Sequence, residues 1–337
     1  MVRGRAIDIH AHCVPDGAIR ALLADDGRYG IELAERDGRY AALIGGRVDV
    51  GPMTANLVDV ERRLAAMDAA GVDIQVLSSW IDMTAYALPA AQAARYARMF
   101  NEALASEVAA HPDRFLALCT VPLQHPGLAV AELVHAVSRL GLVGVEIATT
   151  VDGRELDDPA LEPFWQAAAE LRCLVLVHPY RSLAGRGVDR YFLGNLVGNP
   201  AETTIAVGHL VFSGVLERHR DLQMCVVHGG GFAPYQVGRW DRAFAASARG
   251  AADRLTRPPS ESLRRLYFDT VLHSPQSLRF LVDAVGPERV VLGSDYPFEM
   301  GDPDPVATVT QIPHLSGSEL RLILSDNLLR LVQGVRR

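Results

Sequence analysis

The chain contains no lysine: all 33 of its basic residues are arginine. A Schiff-base lysine, a pyridoxal-phosphate lysine and a P-loop lysine are therefore excluded. A carboxylated lysine bridging two metals is excluded with them. A GC-rich genome that favours arginine codons accounts for the bias, and the chemical exclusion holds whatever its origin. Cysteine is scarce as well. Cys13, Cys119, Cys173 and Cys225 lie far apart and form no CxxC pair. Three of them sit inside apolar, strand-like runs. They read as buried thiols in a reducing compartment, which predicts a cytoplasmic protein. There is no surplus of positive charge. A net charge of -7 and a pI near 5.9 leave no basic face for nucleic-acid phosphates. No apolar run approaches the roughly 20 residues that span a bilayer. The segment MVRGRAIDIHAH enters a strand pattern with no apolar signal stretch before it. The expected partner is a small molecule, not nucleic acid or membrane.

What the chain has is apolar residue, 49% of its 337 positions, enough for one large core. Short, nearly continuous apolar runs recur at Ala6–His12, Ile74–Ser79, Phe115–Val121, Gly144–Thr149, Cys173–His178, Met224–His228, Leu266–Val271 and Val290–Gly293. Such runs suit parallel strands covered on both faces. Helical patterns separate them at Ala91–Ala110, Leu128–Leu140, Pro163–Leu171, Thr203–Glu217 and Ser274–Val285. This alternation predicts an α/β fold, a (β/α)8 TIM barrel, with residues 1–337 forming one domain. Asp16–Asp59 departs from it, with the segment DGRY at Asp26–Tyr29 and again at Asp37–Tyr40. The stretch reads as a small β-hairpin insertion after strand one, not as a repeat array. Tyr180–Pro200, Gly-rich and carrying Arg181, Arg186 and Arg190, follows strand five and suits a lid or a subunit contact.

Asp8-Ile9-His10-Ala11-His12 closes strand one, and alternation points His10 and His12 to the same side. His178 ends strand five, His228 ends strand six before three glycines, and Asp295 ends strand eight. Any one of these alone reads as a structural hydrogen-bonding group. Four strand ends that each place His or Asp at one level of a barrel read as a metal site, because unpaired polar groups there would destabilise the fold. Three imidazoles and a carboxylate suit Zn²⁺, with Mn²⁺ or Fe²⁺ as alternatives. His228 is then either a further ligand or a general acid/base. Glu146, in strand four, is either a buried hydrogen-bonded glutamate or a bridge to a second metal held by His178 and His228. His273 points to the mouth as a substrate contact or an exposed loop residue, and Asp269 reads as structural. Trp80, Tyr296 and Phe298 sandwich a planar substrate or simply pack the rim.

The DxHxH opening, VHP, HGGG and LGSDYPF together resemble the aminocarboxymuconate-semialdehyde decarboxylase group of the amidohydrolase superfamily. Supporting segments are MDAAGVDIQVLS at Met67–Ser78, TVPLQ at Thr120–Gln124, NPAET at Asn199–Thr203 and RPPSE at Arg257–Glu261. The resemblance runs from about residue 6 to about residue 330. It implies one zinc on His10, His12, His178 and Asp295, with His228 and Asp295 as catalytic residues. It implies non-oxidative decarboxylation of a small planar unsaturated or aromatic acid. Some relatives hydrate a double bond or hydrolyse an amide or C–C bond, and a metal-dependent hydrolase is the alternative. A family arginine that crosses a dimer interface corresponds to Arg239, which implies a homodimer or higher homo-oligomer. The family's other substrate-gripping arginine falls on Gly51 here, with Arg47 as the nearest substitute. Tyr180 departs from the family after VHP and joins Arg239, Arg47, His273, Trp80 and Phe298 as a candidate substrate contact. A catalytically silent barrel that only binds or scaffolds is the third reading.

Overall fold

The computed structural model describes residues 5–180 and 187–335. The chain opens with β1 (Ile7–Cys13), buried along its whole length. An insertion follows: α1 (Asp16–Leu23), then an antiparallel sheet of β2 (Ile31–Arg36), β3 (Arg39–Ile44) and β4 (Val48–Val50). Then come α2 (Ala55–Val58), α3 (Val60–Ala70), β5 (Ile74–Ser79), α4 (Ala90–Ala110), β6 (Phe115–Cys119), α5 (Pro126–Ser138) and β7 (Gly144–Ala148). A small hairpin, β8 (Thr150–Val151) and β9 (Arg154–Glu155), precedes α6 (Glu162–Leu171) and β10 (Leu174–His178). The last part runs through α7 (Asn199–Phe212), α8 (Val215–Arg218), β11 (Gln223–Val226), α9 (Ala233–Ala245), α10 (Pro259–Leu263), β12 (Tyr267–Asp269), α11 (Pro275–Val285) and β13 (Val290–Val291).

Eight of these strands form one parallel sheet in the order β1-β5-β6-β7-β10-β11-β12-β13. The ring is completed by backbone bonds between β1 and the segment after β13: Ile9 N to Leu292 O (2.9 Å), Asp295 N to His10 O (2.8 Å) and His12 N to Tyr296 O (2.7 Å). This is the expected (β/α)8 barrel. Ile7, Ile9, Ile74, Val76, Leu118, Leu174, Leu176, Cys225 and Val291 form one apolar cluster drawn from around the ring, which Leu328 and Leu331 join. A larger cluster packs the strands against the helices. In α4 the buried residues Ala93, Tyr96, Ala97, Phe100 and Leu104 follow helical spacing and make one face. All four cysteines are buried and unpaired. Among the described residues no helix is long and apolar enough to cross a membrane.

Two expectations need correction. The insertion is not a lone hairpin but a helix and three strands, because the second DGRY makes a tight turn and the first does not. Asp37 and Gly38 (φ 52° and 72°) connect β2 to β3 as a two-residue turn of the kind that needs positive φ at both positions. In the first copy, Asp25 accepts from the backbone N–H groups of Arg28 and Tyr29 and shapes a loop. The helix expected over Thr203–Glu217 is two helices, broken at the left-handed Gly214 (φ 75°).

Gly144 opens β7 where it passes β10, and a Cβ there would lie 2.0 Å from Leu174 O. Gly144→Ala is expected to cost about 1–3 kcal/mol by forcing the two strands apart. A urea midpoint unchanged from wild type would refute this.

Candidate metal centre

A register shift between Asp8 and Ala11 breaks the plain alternation of β1. Such a shift re-aims side chains. His10 and His12 converge on one point, while Asp8 turns away toward Gln75 and Ser294. The Nε2 atoms of His10 and His12 are 3.0 Å apart, and each lies 3.3 Å from Asp295 Oδ1. The His178 ring stands 5.1 Å from that of His10 and 4.8 Å from that of His12. His228 closes the group, its Nε2 3.4 Å from Asp295 Oδ2. One ligand atom from each of His10, His178, His228 and Asp295 lies within 4.8 Å of all the others. His10 and His12 are fully buried, and His178 and Asp295 are 6% exposed.

The outer nitrogens of the three imidazoles are already engaged. Nδ1 of His12 donates to Ser79 O (3.0 Å) and Nδ1 of His178 to Pro179 O (2.8 Å). Nδ1 of His10 meets Asp269 Oδ2 at 2.7 Å. Each ring in its neutral form therefore turns a bare Nε2 inward, as metal-ligating histidines do. Asp295 Oδ1, which faces two of them, has no hydrogen-bond partner among the described residues. Ligands around a tetrahedral Zn²⁺, at bond lengths of 2.0–2.1 Å, lie roughly 3.3 Å apart. The spacings of 3.0 and 3.3 Å fit a divalent ion held between lone pairs and a carboxylate.

Burial and mutual charge set the protonation balance of the cluster before an ion binds. Burial alone would raise the Asp295 carboxyl, yet His10, His12 and His228 hold it well below the ordinary value. Burial lowers His178, and the neighbouring imidazoles His12, His10 and His228 push it down further. For His12, burial is outweighed by Glu146 and Asp295, and its value rises to about 9. His228 is raised for the same kind of reason, Asp295 and Asp269 outweighing burial. Burial pushes Glu146 up to about 7, moderated by His12.

Beneath the ligands runs a buried network. Asp8 accepts from His10 N (3.0 Å), Gln75 Nε2 (3.0 Å), Ser294 N (3.0 Å) and Ser294 Oγ (2.5 Å). Gln75 Oε1 accepts from Arg63 (3.0 Å), and Arg63 also donates to His12 O (2.5 Å). The Arg63 guanidinium lies 4.7 Å from the ring centroid of Tyr296. Asp269 does more than its sequence position suggested. It orients His10 and accepts from Gly229 N at 2.9 Å, joining strands one, six and seven at the mouth. No local motif marks Arg63 or Gln75; only the spacing of a charged residue on an apolar helix pattern hints at Arg63.

His228, His273 and Asp295 all have positive φ (53°, 54° and 58°). Strain of this kind clusters at ligand sites. The three line a cavity of about 250 Å3 with Asn195, Asn199, Phe232, Leu272 and Met300. Gly231 lines the cavity and also permits the close approach of α7, since a Cβ there would lie 2.1 Å from Pro200 O. Phe298 packs its ring 5.3 Å from His12 and 6.0 Å from Trp80, forming an aromatic wall. Tyr180 is half-buried, its N–H donating to Thr149 Oγ1. Glu146 approaches His12 from its Nδ1 side, at 3.5 Å, away from the converging Nε2 atoms. Arg47 is exposed and donates to Ala87 O, and Gly51 (φ 116°) has Tyr40 O and Ala41 Cα within 3.1 Å of any Cβ. Arg239 is exposed on α9, and Arg181 and Arg186 lie outside the described residues. A larger cleft of about 800 Å3, lined by Asp68, Asp304 and Arg321, contains none of the cluster residues.

The amidohydrolase family model matches residues 7–333. The 2-amino-3-carboxymuconate-6-semialdehyde decarboxylase of Dictyostelium discoideum is 31% identical over 98% of this chain and 92% of its own length. The gamma-resorcylate decarboxylase of a Rhizobium sp. is 32% identical over 72% of this chain and 78% of its own length. The crystal structure of 5-carboxyvanillate decarboxylase from Sphingomonas paucimobilis superposes with a TM-score of 0.82 at 25% identity, covering 98% of this chain and 99% of that one.

Asp269→Asn is expected to weaken metal binding roughly 10- to 100-fold by removing the carboxylate that orients His10. Chelator competition would measure it, and unchanged affinity would remove Asp269 from the site. Stripping the metal from the wild-type protein is expected to lower Tm, and one equivalent of metal to restore it.

Proposed function

Because this chain belongs to the amidohydrolase family, we propose that it is a metal-dependent non-oxidative decarboxylase of a small planar aromatic or unsaturated carboxylic acid. The observation that carries this reading is the convergence of His10, His12, His178 and Asp295 beside His228, at a cavity of single-ring size. We assign His10, His12, His178 and Asp295 as the ligands. Three imidazole nitrogens and one carboxylate oxygen favour zinc, with manganese or iron as alternatives. When bound, the ion supplies a Lewis-acidic anchor for the substrate's carboxylate and a neighbouring oxygen.

The chain's own residues do the rest. His228 carries the proton. Its Nε2 lies beside Asp295 and its ring lines the cavity, which puts it within reach of an acid bound there. The proton passes from His228 to the carbon that bears the carboxylate. The bond from that carbon to the carboxylate then breaks, its electron pair stays with the ring or polyene, and CO2 leaves. His228 recovers a proton from solvent. Asp295 stabilises the imidazolium, and Phe298 with Trp80 packs against His12 and shields that side of the ligand group from water. A bridge from Glu146 to a second metal finds no support in its placement behind His12, and a hydrolase that uses Asp295 or His228 as base on the same barrel is the alternative.

We assign a homodimer or higher homo-oligomer, with Arg239 reaching a neighbouring site. In support, α9 also carries the exposed Tyr235, which packs on the exposed Phe280 of α11. Buried, unpaired cysteines support a cytoplasmic location.

The test is CO2 release from a panel of hydroxybenzoic and muconate-type acids, with metal content measured alongside. A metal-to-chain ratio near one and loss of CO2 with His228→Ala at unchanged metal content are expected. Loss of metal in that variant would make His228 a ligand, and amide hydrolysis without CO2 release would overturn the decarboxylase reading. Arg239→Ala should lower activity more than stability, and equal loss of both would sink its role at a neighbouring site.

A further inference from the structure

Helix α3 turns two residues fully inward, Met67 and, one turn earlier, Arg63. An arginine at a core position is costly unless its charge and its donors are satisfied. Arg63 is 2% exposed, and among the described residues no carboxylate pairs with it. What it meets instead is the frame of the metal centre. Ile7, Ile9, Ile74 and Val76 join the apolar cluster inside the ring, so Asp8 and Gln75, which face each other between them, turn outward to the helix layer. One arm of the guanidinium donates to Gln75 Oε1 (3.0 Å), and Gln75 in turn donates to Asp8 (3.0 Å). The other arm donates to His12 O (2.5 Å).

These contacts close two circuits. In the first, Arg63 donates to His12 O, His12 N donates to Tyr296 O (2.7 Å), and the Tyr296 ring lies 4.7 Å from the Arg63 guanidinium. In the second, Arg63 reaches Gln75, Gln75 reaches Asp8, and Asp8 accepts from Ser294 N and Oγ. Ser294 and Tyr296 are the two chain neighbours of Asp295. One side chain therefore braces the backbone of an imidazole ligand and both flanks of the carboxylate ligand. Only a planar fork can do this. A lysine in its place is a point charge on a flexible stem and reaches one acceptor at a time.

From this we infer that Arg63 is a positioning residue for the metal centre: its two-armed guanidinium sets where His12 and Asp295 stand relative to each other, partly through Gln75, and it never touches the ion. The inference rests on the metal-ligand assignment of the proposed function and on no step of the reaction. Partners one layer out from a metal govern its affinity by orienting the ligands, so the effect belongs in metal binding and not only in stability.

The experiment titrates the metal-free protein with zinc against a chelator and records Tm alongside. The visible band of the cobalt-loaded protein reports ligand geometry separately. Arg63→Met, which keeps the length and removes the donors, is expected to lower zinc affinity roughly 10- to 100-fold and to shift the cobalt band. Arg63→Lys, which keeps the charge without the fork, should still bind zinc about tenfold more weakly than wild type. If Arg63→Met does not fold without metal, Arg63→Lys carries the test. Gln75→Met should weaken zinc binding too, and the double variant Arg63→Met/Gln75→Met should lose less than the two single losses combined, because the residues share a path. Losses that combine in full overturn the route through Gln75. A lowered Tm with zinc affinity and cobalt band unchanged in the Arg63 variants makes Arg63 a packing residue and overturns the inference. A wild-type protein that binds neither zinc nor cobalt is a different result: it fails the metal-centre reading itself, and this inference with it.

Discussion

Everything at the mouth depends on one buried carboxylate that never touches the metal site. Asp8 takes four donors: the backbone of His10, the amide of Gln75, and both the backbone and the hydroxyl of Ser294. It thereby ties the first strand to the second barrel strand and to the segment after the eighth. Burial pushes the Asp8 carboxyl upward, and the bonds from Ser294, His10 and Gln75 oppose that shift. A buried carboxylate left with fewer donors would be costly, so the arrangement tolerates little slack. Ser294 precedes Asp295, and His10 shares the ligand pair. Fixing Asp8 thus fixes the separation between imidazole and carboxylate across the barrel seam.

The buried shell around the cluster is rich in acids. Asp8, Glu146, Asp269 and Asp295 are all nearly or fully buried, and among the described residues Arg63 is the one buried fixed cation. Histidine protonation offsets part of that imbalance, as the raised values of His12 and His228 show. A divalent cation offsets it more fully, displacing protons from the inward-facing ring nitrogens. The fold therefore stores an electrostatic demand that a metal ion satisfies. Stability and metal capture are two aspects of the same charge distribution.

The barrel was legible because parallel strands buried on both faces leave continuous apolar runs, such as LVLV before His178 and MCVV before His228. The metal cluster was legible for a related reason: a polar residue ending such a run has to lie at the mouth. What escaped were contacts made across distance. Arg63 meets Gln75 and the His12 carbonyl, and Asp269 meets His10 259 residues away, and no local pattern names either partner. The phase of β1 escaped too. The spacing of His10 and His12 gives no hint of the irregular pairing with β5 between Asp8 and Ala11. The insertion misled because its residues are partly exposed, so burial imposed no clear period, and two copies of DGRY did different local work.

The seam between β1 and the segment after β13 joins residues 286 positions apart. Contacts this remote in sequence form late, since the loop-closure entropy must be met first. During synthesis His10 and His12 emerge long before Asp295 exists. A nascent chain stalled before the eighth strand carries His10, His12, His178 and His228 but not the Asp295 carboxylate that joins them. Productive capture of the ion is thus confined to the finished, closed ring, and a truncated or half-folded chain has no complete cage with which to compete for metal in the cell.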